Sequence, residues 1–117
     1  MSVVDHRPLA NTKRVYRWSD MPIETDQKAF VVRDQQGDTT KITVSRHTRQ
    51  TLEALRLHPV FAASYCRVSF YVQSLRELGI DIECRMYRND ADTGRQKFGV
   101  YFLRSDVEPC GPDLEAA

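Results

Sequence analysis

The most regular pattern in the chain runs from Ser64 to Leu103, SYCRVSFYVQSLRELGIDIECRMYRNDADTGRQKFGVYFL. Successive residues of a helix are turned by about 100°. On that grid Val68, Tyr71, Val72, Leu75 and Leu78 share one face, which is the predicted core side. Cys66, Ser69, Phe70, Gln73 and Glu77 fall opposite, with Arg67, Ser74 and Arg76 on the flanks. Ser64 is the predicted N-cap, and Gly79 stands where a helix stops on a left-handed residue. Ile80 and Ile82 then alternate with Asp81 and Glu83, the period of a strand. Two strands are predicted, IDIECRMYR and QKFGVYFL, joined by a turn over Asn89–Gly94. Gly99 interrupts the second of them, which predicts a bulge or a close backbone approach. Tyr101 and Leu103 alternate with Phe102, so this strand is expected to be covered on both faces.

Upstream, AFVVRDQQGDTTKITV (29–44) reads as a β-hairpin turning at Gly37. Ser45 is the predicted N-cap of a helix over SRHTRQTLEALRLHP, with Leu52 and Leu55 inward and Pro59 as its stop. Arg46, Arg49 and Arg56 lie mostly off that inner face. Each singly is better read as solvated than as a phosphate contact. Pro59–Ala63 is predicted as a second helix of little more than one turn at about 3.6 residues per turn. Residues 1–20 are an arm with little regular structure expected. Lys13, Arg14 and Arg17 interleave there with Val15, Tyr16 and Trp18. The pattern fits a basic-aromatic arm that grips phosphates or a partner. It fits better an arm pinned to the core by Tyr16 and Trp18, since aromatics add so much to small cores. Residues 21–105 form the domain, and 106–117 an acidic, poorly ordered tail.

Charge changes this picture only mildly. The 117 residues carry a net charge of +1. Residues 45–105 hold ten Lys/Arg against six Asp/Glu, whereas 106–117 hold none against four. A basic centre and an acidic end permit nucleic-acid binding without demanding it. There is no apolar run long enough to span a bilayer and no signal-peptide pattern, so a cytoplasmic protein is expected. Cys66, Cys84 and Cys110 have no CxxC spacing and are read as reduced thiols. His6, His47 and His58 lack ligand spacing, and Asp90 and Asp92 do not match a calcium loop, so no metal and no cofactor are expected. No nucleophile–base pair or phosphate-cradling glycine loop is present, so an enzyme is not expected.

The segments TLEAL, RVSFYVQSLRELGIDI and KFGVYFL resemble winged helix-turn-helix domains, especially compact variants of bacterial and phage-derived transcription-associated proteins. The resemblance covers about 45–104. It implies an α+β fold, a winged helix-turn-helix with an extra N-terminal β-hairpin. It implies double-stranded DNA as partner, read by the central helix and its wing. Arg67, Ser69, Phe70, Gln73, Ser74 and Arg76 then face the groove, and Arg88, Arg95 and Lys97 the backbone. The residue types fit: Gln pairs with adenine, Arg with guanine or phosphate, Ser with either. So small a footprint implies a homodimer or a second protein. The alternative is a winged-helix interaction or assembly module without DNA, with Phe70 as its anchor.

Overall fold

The computed structural model describes residues 3–4, 11–62, 67–88, 90 and 93–110, with backbone alone for 3–4. The chain is an α+β protein. Its elements in order are β1 (Val3–Val4), β2 (Lys13–Val15), a 3-10 turn (Trp18–Asp20), β3 (Lys28–Arg33), β4 (Thr39–Val44) and α1 (Arg46–Leu57). Then come β5 (Val60–Ala62), α2 (Val68–Glu77), β6 (Ile82–Arg88), β7 (Lys97–Leu103) and β8 (Asp106–Pro109). The described strands form a five-stranded sheet, β1-β6-β7-β5-β2, and a three-stranded sheet, β4-β3-β8.

The early hairpin forms as its alternation predicts. β3 and β4 pair antiparallel from Lys28 opposite Val44 to Arg33 opposite Thr39. Phe30, Val32, Ile42 and Val44 are buried. Gly37 takes φ 88 in the turn, and Asp34 Oδ1 accepts from the N–H groups of Gln36 and Asp38, 2.9 Å each. A lone hairpin is marginal in water. Here β8 adds a third strand, with Val107 opposite Val32. The segment read as a loose tail from 106 is thus sheet as far as Pro109, because Val107 and Cys110 are buried. Residues 111–117 lie outside the described residues.

The helices follow their apolar faces, with corrections at the ends. α1 buries Leu52, Ala54 and Leu55. Ser45 holds the N-cap position but its side chain makes no capping hydrogen bond; the Arg46 N–H instead donates to the Thr25 carbonyl at 2.8 Å. In α2, Val68, Val72 and Leu75 are buried and Tyr71 is half-buried. Leu78, placed on the same face from sequence, is 41% exposed. The helix ends before it. Ile80 N–H bonds the Leu75 carbonyl and Gly79 N–H the Arg76 carbonyl, the paired closure of a Schellman motif. Gly79 has φ 93, and Ile80 rather than Leu78 joins Leu75 in the buried core as the apolar residue after the cap. The predicted cap Ser64 lies outside the described residues; Arg67 occupies the N-cap, left-handed at φ 60.

The largest correction concerns 59–63. In place of a second helix, Val60–Ala62 is the strand β5. It pairs antiparallel with β7 and parallel with β2. Val60 and Phe61 are nearly inaccessible, at 0% and 1%, and a β-branched and an aromatic residue suit a pleated buried surface better than one helical turn. The N-terminal arm is corrected by the same pairing, since Lys13–Val15 completes that sheet edge. Trp18 stacks on His47 with centroids 3.9 Å apart, while Tyr16 stays 44% exposed.

β7 is covered on both faces, as its pattern predicts. Tyr101 and Leu103 pack toward the main core with Val60, Leu75 and Ile82. Phe98, Val100 and Phe102 pack on the other face with Phe61 and Tyr87. Arginines stack over this second cluster. Arg14 and Arg95 lie over Phe61, at 5.0 and 5.8 Å. Arg85 and Arg104 lie over Phe102, at 5.0 and 5.2 Å. Gly99 answers to a close approach and not to a bulge, for the β6–β7 register is unbroken. A Cβ there would sit 2.8 Å from Cys84 Sγ.

Candidate functional site

α2 presents its predicted outer face to solvent. Arg67, Ser69, Gln73 and Glu77 are exposed, and Phe70 is 61% exposed. Phe70 does not hang free. Tyr71 meets it edge-on at 5.1 Å, and Tyr71 in turn meets Trp18 at 5.2 Å and His47 at 5.4 Å. The arm and α1 therefore brace the ring at the centre of the outer face.

The start of α2 stands beside the β6–β7 hairpin. Arg67, Ser69 and Phe70 from the helix, Arg95, Gly99 and Tyr101 from the hairpin, and Ala62 from β5 line one cleft of about 360 Å³. Side chains two apart on a strand share a face. Gly99 and Tyr101 thus share theirs with Lys97, and the register sets Lys97 directly opposite Arg88. Both cations are exposed. The pairing sets two cations side by side on one face of the hairpin. The first turn of α2 holds no acidic residue, and the unsatisfied N–H groups of a helix start favour negative charge.

Three of the predicted contact residues make hydrogen bonds within the chain. Arg76 donates from Nε and Nη2 to the Ile82 carbonyl, 3.2 and 2.7 Å, a strut from the end of α2 to β6. Ser74 Oγ turns back to the Phe70 carbonyl at 3.2 Å. Arg95 Nη1 donates to the Ala62 carbonyl at 3.1 Å. Arg95 lines the cleft while holding the hairpin to β5. The structure therefore brings Arg67, Ser69, Phe70 and Arg95 together, sets Arg88 and Lys97 farther along the same hairpin, and leaves Gln73 on the outer face of α2.

Asp90 lies in the segment between β6 and β7. It is buried. Arg14 of β2 pairs with its carboxylate, and the Thr93 N–H and Oγ1 donate to Oδ2 at 3.0 and 2.6 Å. The Arg14 guanidinium, helped by Thr93, holds the Asp90 carboxyl below its ordinary range, at about 2. Asn89, Ala91 and Asp92 lie outside the described residues. Nothing in the turn's composition marks Asp90 as inward, because its partner lies on the arm, 76 residues away in sequence. Ala62 was missed as part of the cleft wall because 59–63 was read as helix; Val60-Phe61 is the strand signal that places it.

Two of the three thiols lie among the described residues. Cys84 and Cys110 are free, and burial pushes the Cys84 thiol up from its ordinary value; Cys66 lies outside the described residues. Among the described residues no group of His, Cys, Asp and Glu is arranged to hold a metal ion, and no helix is long and apolar enough to cross a membrane. Comparison with protein families, curated proteins and solved structures finds no match to this chain.

Proposed function

We propose that the chain is a small winged-helix DNA-binding protein of the transcription-associated, bacterial or phage type. The outer face of α2 enters a groove, with Arg67, Ser69, Phe70 and Gln73 toward the bases, and the β6–β7 hairpin lies along the backbone with Arg88 and Lys97. The observation that carries this is the shared cleft: the start of α2 and the hairpin converge, and the cross-strand cations Arg88 and Lys97 extend that hairpin face. The element order gives further support, a helix followed directly by a two-stranded wing. Against a standard helix-turn-helix, β5 stands where a positioning helix is expected, so the arm and α1 take over the bracing of α2. Phosphate contacts make binding fall steeply with salt. Titration of random-sequence duplex across a salt series is expected to show binding at about 50 mM salt that weakens linearly on a log–log plot. Absence of binding at that low salt rejects the proposal.

A second function is favoured by Phe70. An exposed, braced aromatic ring is also the anchor expected of a protein interface. In that case the wild-type chain is a dimer or larger by sedimentation, and Phe70→Ser is a monomer of unchanged fold. A wild-type monomer excludes a homo-oligomeric interface at this face.

A further inference from the structure

Two ties run from the N-terminal arm to the two elements that form the α2–hairpin cleft. Trp18 stacks on His47 of α1 and meets Tyr71 of α2 edge-on at 5.2 Å. Tyr71 meets Phe70 at 5.1 Å, and Phe70 lines the cleft. Earlier in the arm, Arg14 pairs with the buried Asp90 carboxylate. Asp90 shapes the β6–β7 turn. Its carboxylate accepts from the Thr93 N–H and hydroxyl, and its own N–H donates to the Arg95 carbonyl at 2.9 Å. Arg95 lines the same cleft as Phe70.

The residues between the two ties are themselves held together. Lys13–Val15 pairs in parallel with β5. The Asp20 carboxylate accepts from the N–H groups of Tyr16 and Arg17, at 2.9 and 3.2 Å. The Met21 N–H closes the 3-10 turn on the Trp18 carbonyl at 3.1 Å. Val15 and Met21, before and after Trp18, are both buried in the main core. A shift at Arg14 is therefore passed along the backbone to Trp18.

We infer that Lys13–Asp20 acts as one clasp that positions both parts of the cleft, Phe70 through Trp18 and Arg95 through Arg14. The inference rests on the DNA reading for the use of the cleft, but the coupling between the two ties has its own readout. Trp18 and Arg14 are positioning residues, since neither lines the cleft. A side chain aimed in advance loses less freedom on binding, so the clasp adds affinity without adding a contact.

Two measurements on the full chain test this. Trp18 is the only tryptophan, so the emission of the chain reports how the arm is seated. Without nucleic acid, Arg14→Gln cuts the hairpin tie and is expected to shift Trp18 emission to the red. Unchanged emission in the folded variant overturns the clasp. If Arg14→Gln fails to fold, hydrogen exchange of the wild type carries the test. The amides of Lys13, Met21 and Asp90, each hydrogen-bonded, are expected to open with one common denaturant dependence, as a single cooperative unit does. Separate openings overturn the clasp. With duplex, Trp18→Ala is expected to lower affinity about fivefold, the worth of one aromatic pair. The salt slope is expected to stay unchanged, because no phosphate contact is removed, and Trp18→Phe is expected to restore the affinity. Undiminished affinity in Trp18→Ala, or no recovery in Trp18→Phe, overturns the positioning of Phe70. A wild type that binds no duplex rejects the DNA proposal instead, and the emission and exchange results still decide the clasp.

Discussion

Replacement of Asp90 by Ala is expected to cost about 3 kcal/mol of stability at pH 7, a loss of more than about a hundredfold in the folding constant. Breaking a buried ion pair strands the other charge, and typical costs run to about 3–5 kcal/mol. The lower end applies here because the Arg14 side chain keeps 33% of its surface in water while Asp90 keeps 3%. The effect must also depend on pH. The folded pKa of Asp90, about 2, lies below the ordinary 3.8. Its contribution is therefore complete above about pH 4 and is lost as pH falls from about 4 to 2. By linkage that shift corresponds to about 2 kcal/mol. Urea unfolding of wild type and Asp90→Ala at several pH values between 7 and 2 measures both quantities. The stability gap is expected to narrow by about 2 kcal/mol across the acid range. A gap that stays constant with pH rules out the Arg14–Asp90 charge pair as its cause.

That pair also shows where sequence reading stops. Local pattern located the early hairpin, both helices and the strands β6 and β7, and left Gly99 open between a bulge and a close approach. These are matters of period and turn chemistry within one stretch of chain. Three things were set by distant contacts. The fate of Val60–Ala62 depends on β7 and β2 being there to pair with it. The burial of Asp90 depends on Arg14. The strand at Asp106–Pro109 depends on the open edge of β3. The exposure of Leu78 is a smaller lesson. A perfect helical grid carried it inward, but the Gly79 closure ends the helix first and hands its place to Ile80. At the candidate site, the residue types and the exposed face of α2 were legible. Which cations were already engaged was not: Arg76 and Arg95 owe their backbone partners to the meeting of α2, β5 and β6.

The division between engaged and outward cations decides which variants test DNA binding. Arg95→Glu removes the Ala62 bond as well as a charge, so lost affinity in that variant says little about phosphate contact. Arg67 lines the α2–hairpin cleft, Lys97 stands two residues before Gly99 on β7, and both are exposed. Arg67→Glu plus Lys97→Glu is expected to lower duplex affinity about 50-fold at 0.1 M salt. Each phosphate contact contributes about 0.9 to the log–log salt slope, so two lost contacts reduce the slope by about 2 and the affinity by nearly two decades at that salt. The loss is expected to be similar across duplex sequences, because backbone contacts position without reading bases. Gln73→Ala, by contrast, is expected to relax discrimination at one base pair and leave the slope alone. Fluorescence anisotropy with two unrelated duplexes over 50–200 mM salt separates these outcomes. If affinity falls while the slope holds, Arg67 and Lys97 touch no phosphate and act on binding indirectly. If neither changes while wild type binds duplex, the contact lies on another face, and the braced Phe70 is left as a surface for protein.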